Sequence, residues 1–265
     1  MEDIKIKQFV KKYWKTILFF VLAGLIGGFA TGLYVLDSYP LEVKNELISE
    51  INKLGVEGIT PHILLALITS FQAAGYGLIC GVLGIIISKK IGLWNDEINI
   101  SKKPLIISLI ISLCGGLLLI LPDILIINNL EEVIKNSYNS KPTLVYIVGS
   151  ILYGGVIEEV LLRLFFMSLC AFVLFKICER KKEKPSNKIL IISNIVASLL
   201  FALGHLPATL SMFGNSLPII IRCILLNGAF GLIFGFVYRK YGLRYSMICH
   251  AGCHIVSKLI WILFI

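Results

Sequence analysis

Seven long apolar runs, separated by short polar segments, dominate the pattern of this chain. They cover 16–36, 62–88, 104–122, 143–170, 189–208, 218–238 and 245–265. Each approaches the roughly 20 residues that a helix needs to cross the hydrocarbon layer of a bilayer. In lipid every backbone polar group must be satisfied within its own segment, so runs of this length form helices. The pattern therefore predicts an all-α polytopic membrane helix bundle with about seven transmembrane helices.

The polar segments give the chain a direction. Lys5, Lys7, Lys11, Lys12 and Lys15 precede the first run, and Lys89, Lys90, Lys102 and Lys103 separate the second from the third. Lys176, Arg180, Lys181, Lys182, Lys184 and Lys188 follow the fourth, and Arg239, Lys240 and Arg244 follow the sixth. The alternate connections hold Asp37, Glu42, Glu46, Glu50 and Glu57, or Asp123, Glu131 and Glu132. Every second connection is basic, so the positive-inside rule places the N-terminus in the cytoplasm and the C-terminus outside. Within one outer connection, 41–54 sets Leu47, Ile48, Ile51 and Leu54 opposite Glu46, Glu50 and Lys53, the pattern of a short amphipathic surface helix. Residues 124–135 repeat that pattern more weakly.

Composition agrees with lipid as the solvent. Hydrophobic residues make up 57% of the chain and charged ones only 15%, against about a quarter charged in soluble domains. The net charge of +9 lies in short clusters between apolar runs, which is orienting charge and not a nucleic-acid groove. Seven cysteines, an odd number, lie in or beside the apolar runs and read as free thiols packed among helices. No small-residue cleavage site closes the first run, which reads as a retained anchor. Its Gly24, Gly28 and Gly32 form a small-residue stripe suited to close packing inside the bundle.

Against this background the intramembrane polar residues require an account, because each is expensive to bury. The fourth run carries Gly154-Gly155-Val156-Ile157-Glu158-Glu159-Val160-Leu161-Leu162-Arg163. On a helix, Glu159 and Arg163 are four apart and share a face, whereas Glu158 is rotated away. Two readings follow: a buried ionic knot that fixes packing, or a division in which Glu159–Arg163 supports a reactive Glu158. The fifth run ends in Phe201-Ala202-Leu203-Gly204-His205-Leu206-Pro207, and the seventh carries His250 and His254 on one face. Imidazoles four apart can ligate a metal, share one substrate group, or lie buried and neutral. Three of the four histidines and the most deeply placed acidic pair thus fall on three membrane runs. An ion or proton pathway is a further reading of such a set, although no inverted repeat or broken helix accompanies it.

Glu158-Glu159-x-x-x-Arg163, then Phe201-x-x-x-His205, then His250-x-x-x-His254 resembles the three-motif signature of the CPBP family. These are the CAAX protease and bacteriocin-processing intramembrane peptidases. The resemblance covers about 143–265, which divides the chain into N-terminal membrane helices (1–142) and a CPBP-like core (143–265). It implies an endopeptidase acting on a membrane-associated protein or peptide within the lipid of a cell membrane. By position it makes Glu158 the activator of water, with His205 assisting, and gives His250 the developing oxyanion. Glu159, Arg163 and Phe201 would support this geometry. The family usually has Asn where His254 stands; a donor role survives that change, and a Glu/His/His/His set also suits zinc, held by His205, His250 and His254. The alternative is a non-catalytic CPBP-like scaffold or bacteriocin immunity protein. One tension concerns depth: His205 falls near one end of its run and His250 near the opposite end of its own, a difference of about 10 Å.

Overall fold

The computed structural model describes residues 6–55, 58–96, 99–125 and 132–265. The orienting charges Lys5, Glu57 and Glu131 lie outside them. Helices α1 (Ile6–Val35), α2 (Leu41–Asn52), α3 (Pro61–Lys90), α4 (Lys102–Leu125) and α5 (Glu132–Ser137) form the first half. The fourth run is one continuous rod of α6 (Leu144–Gly149), two π-helical stretches π1 (Ser150–Glu158) and π2 (Val160–Met167), and α7 (Ser168–Cys178). Helices α8 (Asn187–Phe213), α9 (Leu217–Tyr241) and α10 (Leu243–Phe264) complete the chain. Seven of these units are long and apolar enough to cross a membrane, so the protein is a multi-pass membrane protein. Among the described residues there is no strand.

Most helices extend a little past their apolar windows, because polar end residues continue the helix into the headgroup region. The fifth is the instructive case. The sequence places its end near Pro207, yet α8 runs through that proline to Phe213 and stops only at Gly214, where φ is +90°. The Thr209 hydroxyl donates to the His205 carbonyl at 2.9 Å and supports the turn around the proline. His205 therefore sits well inside its helix, roughly 12 Å from the end at 1.5 Å per residue.

The amphipathic helix expected over 41–54 is present as α2, over Leu41–Asn52, with no buried residue. Half of the weaker pattern over 124–135, residues 126–131, falls outside the described residues, between the end of α4 and the start of α5.

Packing follows the small residues. Helix α1 lies along α3, α8 along α9, and α4 along α10. A Cβ built on Gly24 would stand 2.6 Å from the Ala73 carbonyl oxygen, and one on Gly28 would stand 2.5 Å from that of Thr69. The glycine stripe of α1 is therefore consumed inside the bundle, backbone against backbone with α3. Gly155 does the same for the π-helical rod: its added Cβ would lie 2.6 Å from the Ala251 Cβ on α10. That approach brings the histidine face of α10 against the carboxylates of the rod. All seven cysteines are free thiols.

Candidate active site

The rod's winding is the first departure from expectation. Glu158 closes one π-helical stretch and Arg163 lies in the next, with Glu159 at the joint between them, in place of the regular α-helix assumed from spacing. A π turn takes more residues than an α turn, which shifts the angular positions of the motif residues; such segments recur at functional sites. Glu159 and Arg163 still meet, with Arg163 Nη1 3.3 Å from Glu159 Oε1. Glu158 faces elsewhere, as the one-residue rotation predicts.

Burial separates the two glutamates. The side chains of Glu159 and Arg163 are 0% and 2% exposed, whereas Glu158 keeps 17% and His205 keeps 35%. Glu158 and His205 keep exposed surface; the Glu159–Arg163 pair does not. The guanidinium of Arg163 also lies 4.5 Å from the centroid of the Phe201 ring and donates to the Gly231 carbonyl at 3.4 Å. Phe201 in turn meets His205 edge-on at 4.5 Å and His250 at 5.9 Å. The supporting residues thus form one packed unit under the exposed carboxylate.

Around Glu158 two imidazoles converge. His205 Nε2 is 3.8 Å from Glu158 Oε1, and His250 Nε2 is 3.9 Å from Glu158 Oε2. The depth difference inferred from the runs is therefore closed, because α8 extends past Pro207 and both rings reach one carboxylate.

Hydrogen-bond partners fix the tautomers. His205 Nδ1 is 2.8 Å from the Phe201 carbonyl, which only accepts, so the proton is on Nδ1. His250 Nδ1 is 2.9 Å from Glu159 Oε1, a buried carboxylate that also accepts from the Ser246 hydroxyl, so this proton too is on Nδ1. In their neutral form both rings present a lone pair at Nε2 toward a carboxylate that also only accepts. Three acceptors facing one another need a donor between them, and a water molecule supplies two protons to such a gap.

His254 is arranged the other way round. Its Nδ1 lies 3.3 Å from the ammonium of Lys258, which only donates. The proton of neutral His254 is therefore on Nε2. That Nε2 would be 2.9 Å from a Cβ on Gly154, and His250 Nε2 would be 3.8 Å from the same point, so both nitrogens gather over Gly154. His250 and His254 stack at 5.0 Å, and Phe234 stacks on the other side of His250 at 4.4 Å. The glycine leaves the room that these two rings occupy.

The three-imidazole zinc set expected from the sequence does not fit this arrangement. His254 offers an N–H and not a lone pair at Nε2. Among the described residues no three His, Cys, Asp or Glu side chains are placed to hold a metal ion. We expect zinc to be substoichiometric by mass spectrometry of the purified, digested protein. One tightly held zinc per chain, with activity lost to chelator and restored by zinc, would require His254 to abandon Lys258.

Two charged residues of the membrane runs escape a motif-based reading. Lys258 is 6% exposed, pairs with His254, and holds its ammonium 4.6 Å from the Tyr146 ring centroid. Arg222 on α9 grips Asp123 of α4 in a two-pronged ion pair, with Nε at 3.2 Å from Oδ1, and Tyr138 donates to the same carboxylate at 2.7 Å. Both could have been found by asking every ionisable group inside an apolar run for its partner. His62, at the start of α3, lies 3.1 Å from Asp37 and takes no part in the site.

Fold and site together define a helical, multi-pass membrane protein with an acid–imidazole site between its helices. Residues 140–256 match the family model described as Type II CAAX prenyl endopeptidase Rce1-like. The matched segment contains Glu158, Glu159, Arg163, His205, His250 and His254. No curated protein and no solved structure shows significant similarity to the chain.

Proposed function

We propose that the protein is an intramembrane endopeptidase that cleaves a membrane-associated protein or peptide with water activated by Glu158. The observation that carries this reading is the gap bounded by the Glu158 carboxylate and the Nε2 lone pairs of His205 and His250. A water held there donates one proton to Glu158 and the other toward an imidazole. Glu158 removes its proton as the oxygen attacks the scissile carbonyl, and the same proton later passes to the leaving amine. The carbonyl oxygen, now an anion, needs a donor. The Nε2–H of His254 supplies it, in a site where few competing waters weaken the interaction.

This shifts one role from the family expectation. A neutral His250 has its only proton committed to Glu159, so its Nε2 helps hold the water, while the donor work falls to His254. Lys258 becomes a positioning residue for His254. His254→Ala is expected to lower kcat about 100-fold, the scale of losing one oxyanion donor. Lys258→Met is expected to lower kcat about tenfold with little change in KM, since the ring keeps its place but not its tautomer. Lys258→Arg retains a donor and should restore most of the rate. Equal rates in Met and Arg variants would remove Lys258 from the mechanism.

The membrane orientation follows the basic connections: N-terminus cytoplasmic, C-terminus outside, testable by thiol labelling of single cysteines placed near each end. The reaction itself is tested with purified protein in proteoliposomes. Prenylated and unprenylated membrane-anchored peptides are offered, and mass spectrometry identifies the cleaved bond. Cleavage abolished by Glu158→Gln supports the reading; undiminished cleavage refutes the assignment.

A further inference from the structure

The basic end of the bundle holds a cavity that the peptidase reading does not use. It has a volume of about 710 Å³ and lies between the start of α1, residues 93–96 and 99–104, and the turn from α9 to α10 at Gly242. Its rim carries Lys12, Lys15, Lys240 and Arg244, while Phe19, Phe20, Leu243 and Met247 line it with apolar surface. Asp96 is the one carboxylate among its described lining residues; neighbouring Glu97 lies outside the described residues.

That carboxylate is already engaged. Asp96 accepts from Lys12 at 2.6 Å, from Tyr13 at 2.7 Å and from Trp94 at 2.8 Å. Burial alone would raise its pKa, but these hydrogen bonds outweigh burial and hold it down at about 2. Asp96 is thus a fixed anion that neutralises Lys12 and ties the loop to α1. The ammonium groups of Lys15 and Lys240 lie over ring faces, of Trp14 at 5.6 Å and of Phe236 and Tyr241 at 5.3 Å. Arg244 completes the cationic rim beside the Asn99 carbonyl, 3.4 Å away. The apolar lining is continuous with lipid-facing surface, because Phe19, in the wall, is 50% exposed and Leu18 beside it 45%.

We propose that this cavity binds an anionic phospholipid, its phosphate at Lys15, Lys240 and Arg244 and its acyl chains over Phe19 and the outer face of α1. Cationic pockets between helices at a membrane interface hold such headgroups, and the exposed Trp14 and the neighbouring Trp94 stand at the level where indole rings favour the interface. The apolar wall distinguishes a lipid from free phosphate: a soluble anion would leave Phe19, Phe20 and Met247 unused.

Native mass spectrometry of the detergent-purified full chain tests this with three probes: phosphatidylglycerol, phosphatidylcholine and inorganic phosphate. The wild type is expected to retain phosphatidylglycerol in preference to the other two. Lys15→Gln/Lys240→Gln should bind it about 25-fold more weakly, given roughly a fivefold contribution from each lysine near an anionic headgroup. Lys181→Gln/Lys188→Gln, basic positions outside the cavity, should bind as wild type. Equal weakening by both pairs would show diffuse surface charge and overturn the site. Phosphate competing as well as the lipid would make it a soluble-anion site, and equal retention of phosphatidylcholine would leave no role for the cations. A monodisperse elution profile of each variant shows that the fold is retained, and retained lipid in a well-folded Gln pair refutes the proposal.

Discussion

Glu158→Gln is expected to lower peptide-bond hydrolysis by about 10³-fold, within the 10²–10⁴ range of a lost general base, while leaving the unfolding temperature close to wild type. Gln keeps the size and the carbonyl acceptor of Glu158 but cannot take a proton from water. The side chain is partly exposed and stands 3.8 and 3.9 Å from its imidazole neighbours, so no tight contact is lost. Activity should therefore fall without a matching loss of fold. The measurement is single-turnover cleavage in proteoliposomes alongside thermal unfolding in detergent. Activity within about tenfold of wild type would exclude Glu158 as the base. It would favour a scaffold or immunity role, particularly if a cellular phenotype also persisted.

Glu159→Ala is expected to behave in the opposite manner, destabilising the protein by about 3–5 kcal/mol, the cost of breaking a buried charge pair from one side. Its removal leaves Arg163 buried without a counter-charge and takes away the acceptor for His250 Nδ1 and for the Ser246 hydroxyl. The penalty is large because the partner charge stays in place without water or carboxylate. A large drop in the unfolding midpoint in detergent, accompanied by loss of activity, is the expected result. Glu159→Gln should recover part of the stability, since an amide oxygen still accepts from His250 although the charge is gone. If Glu159→Ala unfolds like wild type, the Glu159–Arg163 unit is not what holds the site. The contrast between these neighbouring glutamates is the sharpest test of the division of labour, because sequence adjacency alone would make them interchangeable.

Much of the architecture was legible because lipid imposes a simple rule. A segment of about 20 apolar residues has no stable conformation in hydrocarbon other than a helix, so seven runs meant seven helices. The division between Glu158 and Glu159 was legible for a similar reason: a one-residue step turns a side chain to another face, and one of the two could meet Arg163 while the other could not. The glycine stripe of α1 could be read as packing, and it is spent against α3.

Other features depend on long-range contact and could not be read from spacing. Periodicity does not distinguish the π winding of the Glu158–Arg163 rod from an α-helix, since i,i+4 neighbours stay close in both. Pro207 suggested a helix end, but the helix continues because neighbouring groups support the turn, and this brings His205 to the depth of Glu158. The pairing of Lys258 with His254 is local, four residues apart, and a search confined to motif residues passes over it. By itself, the sequence determined a polytopic helical membrane protein and singled out the intramembrane Glu and His residues that the fold gathers. Only the tertiary structure decided which nitrogen of each imidazole carries the proton, because a tautomer is set by the partner that each ring meets. Those partners, a carbonyl for His205, a carboxylate for His250 and an ammonium for His254, are what divide three chemically identical side chains into two acceptors and one donor.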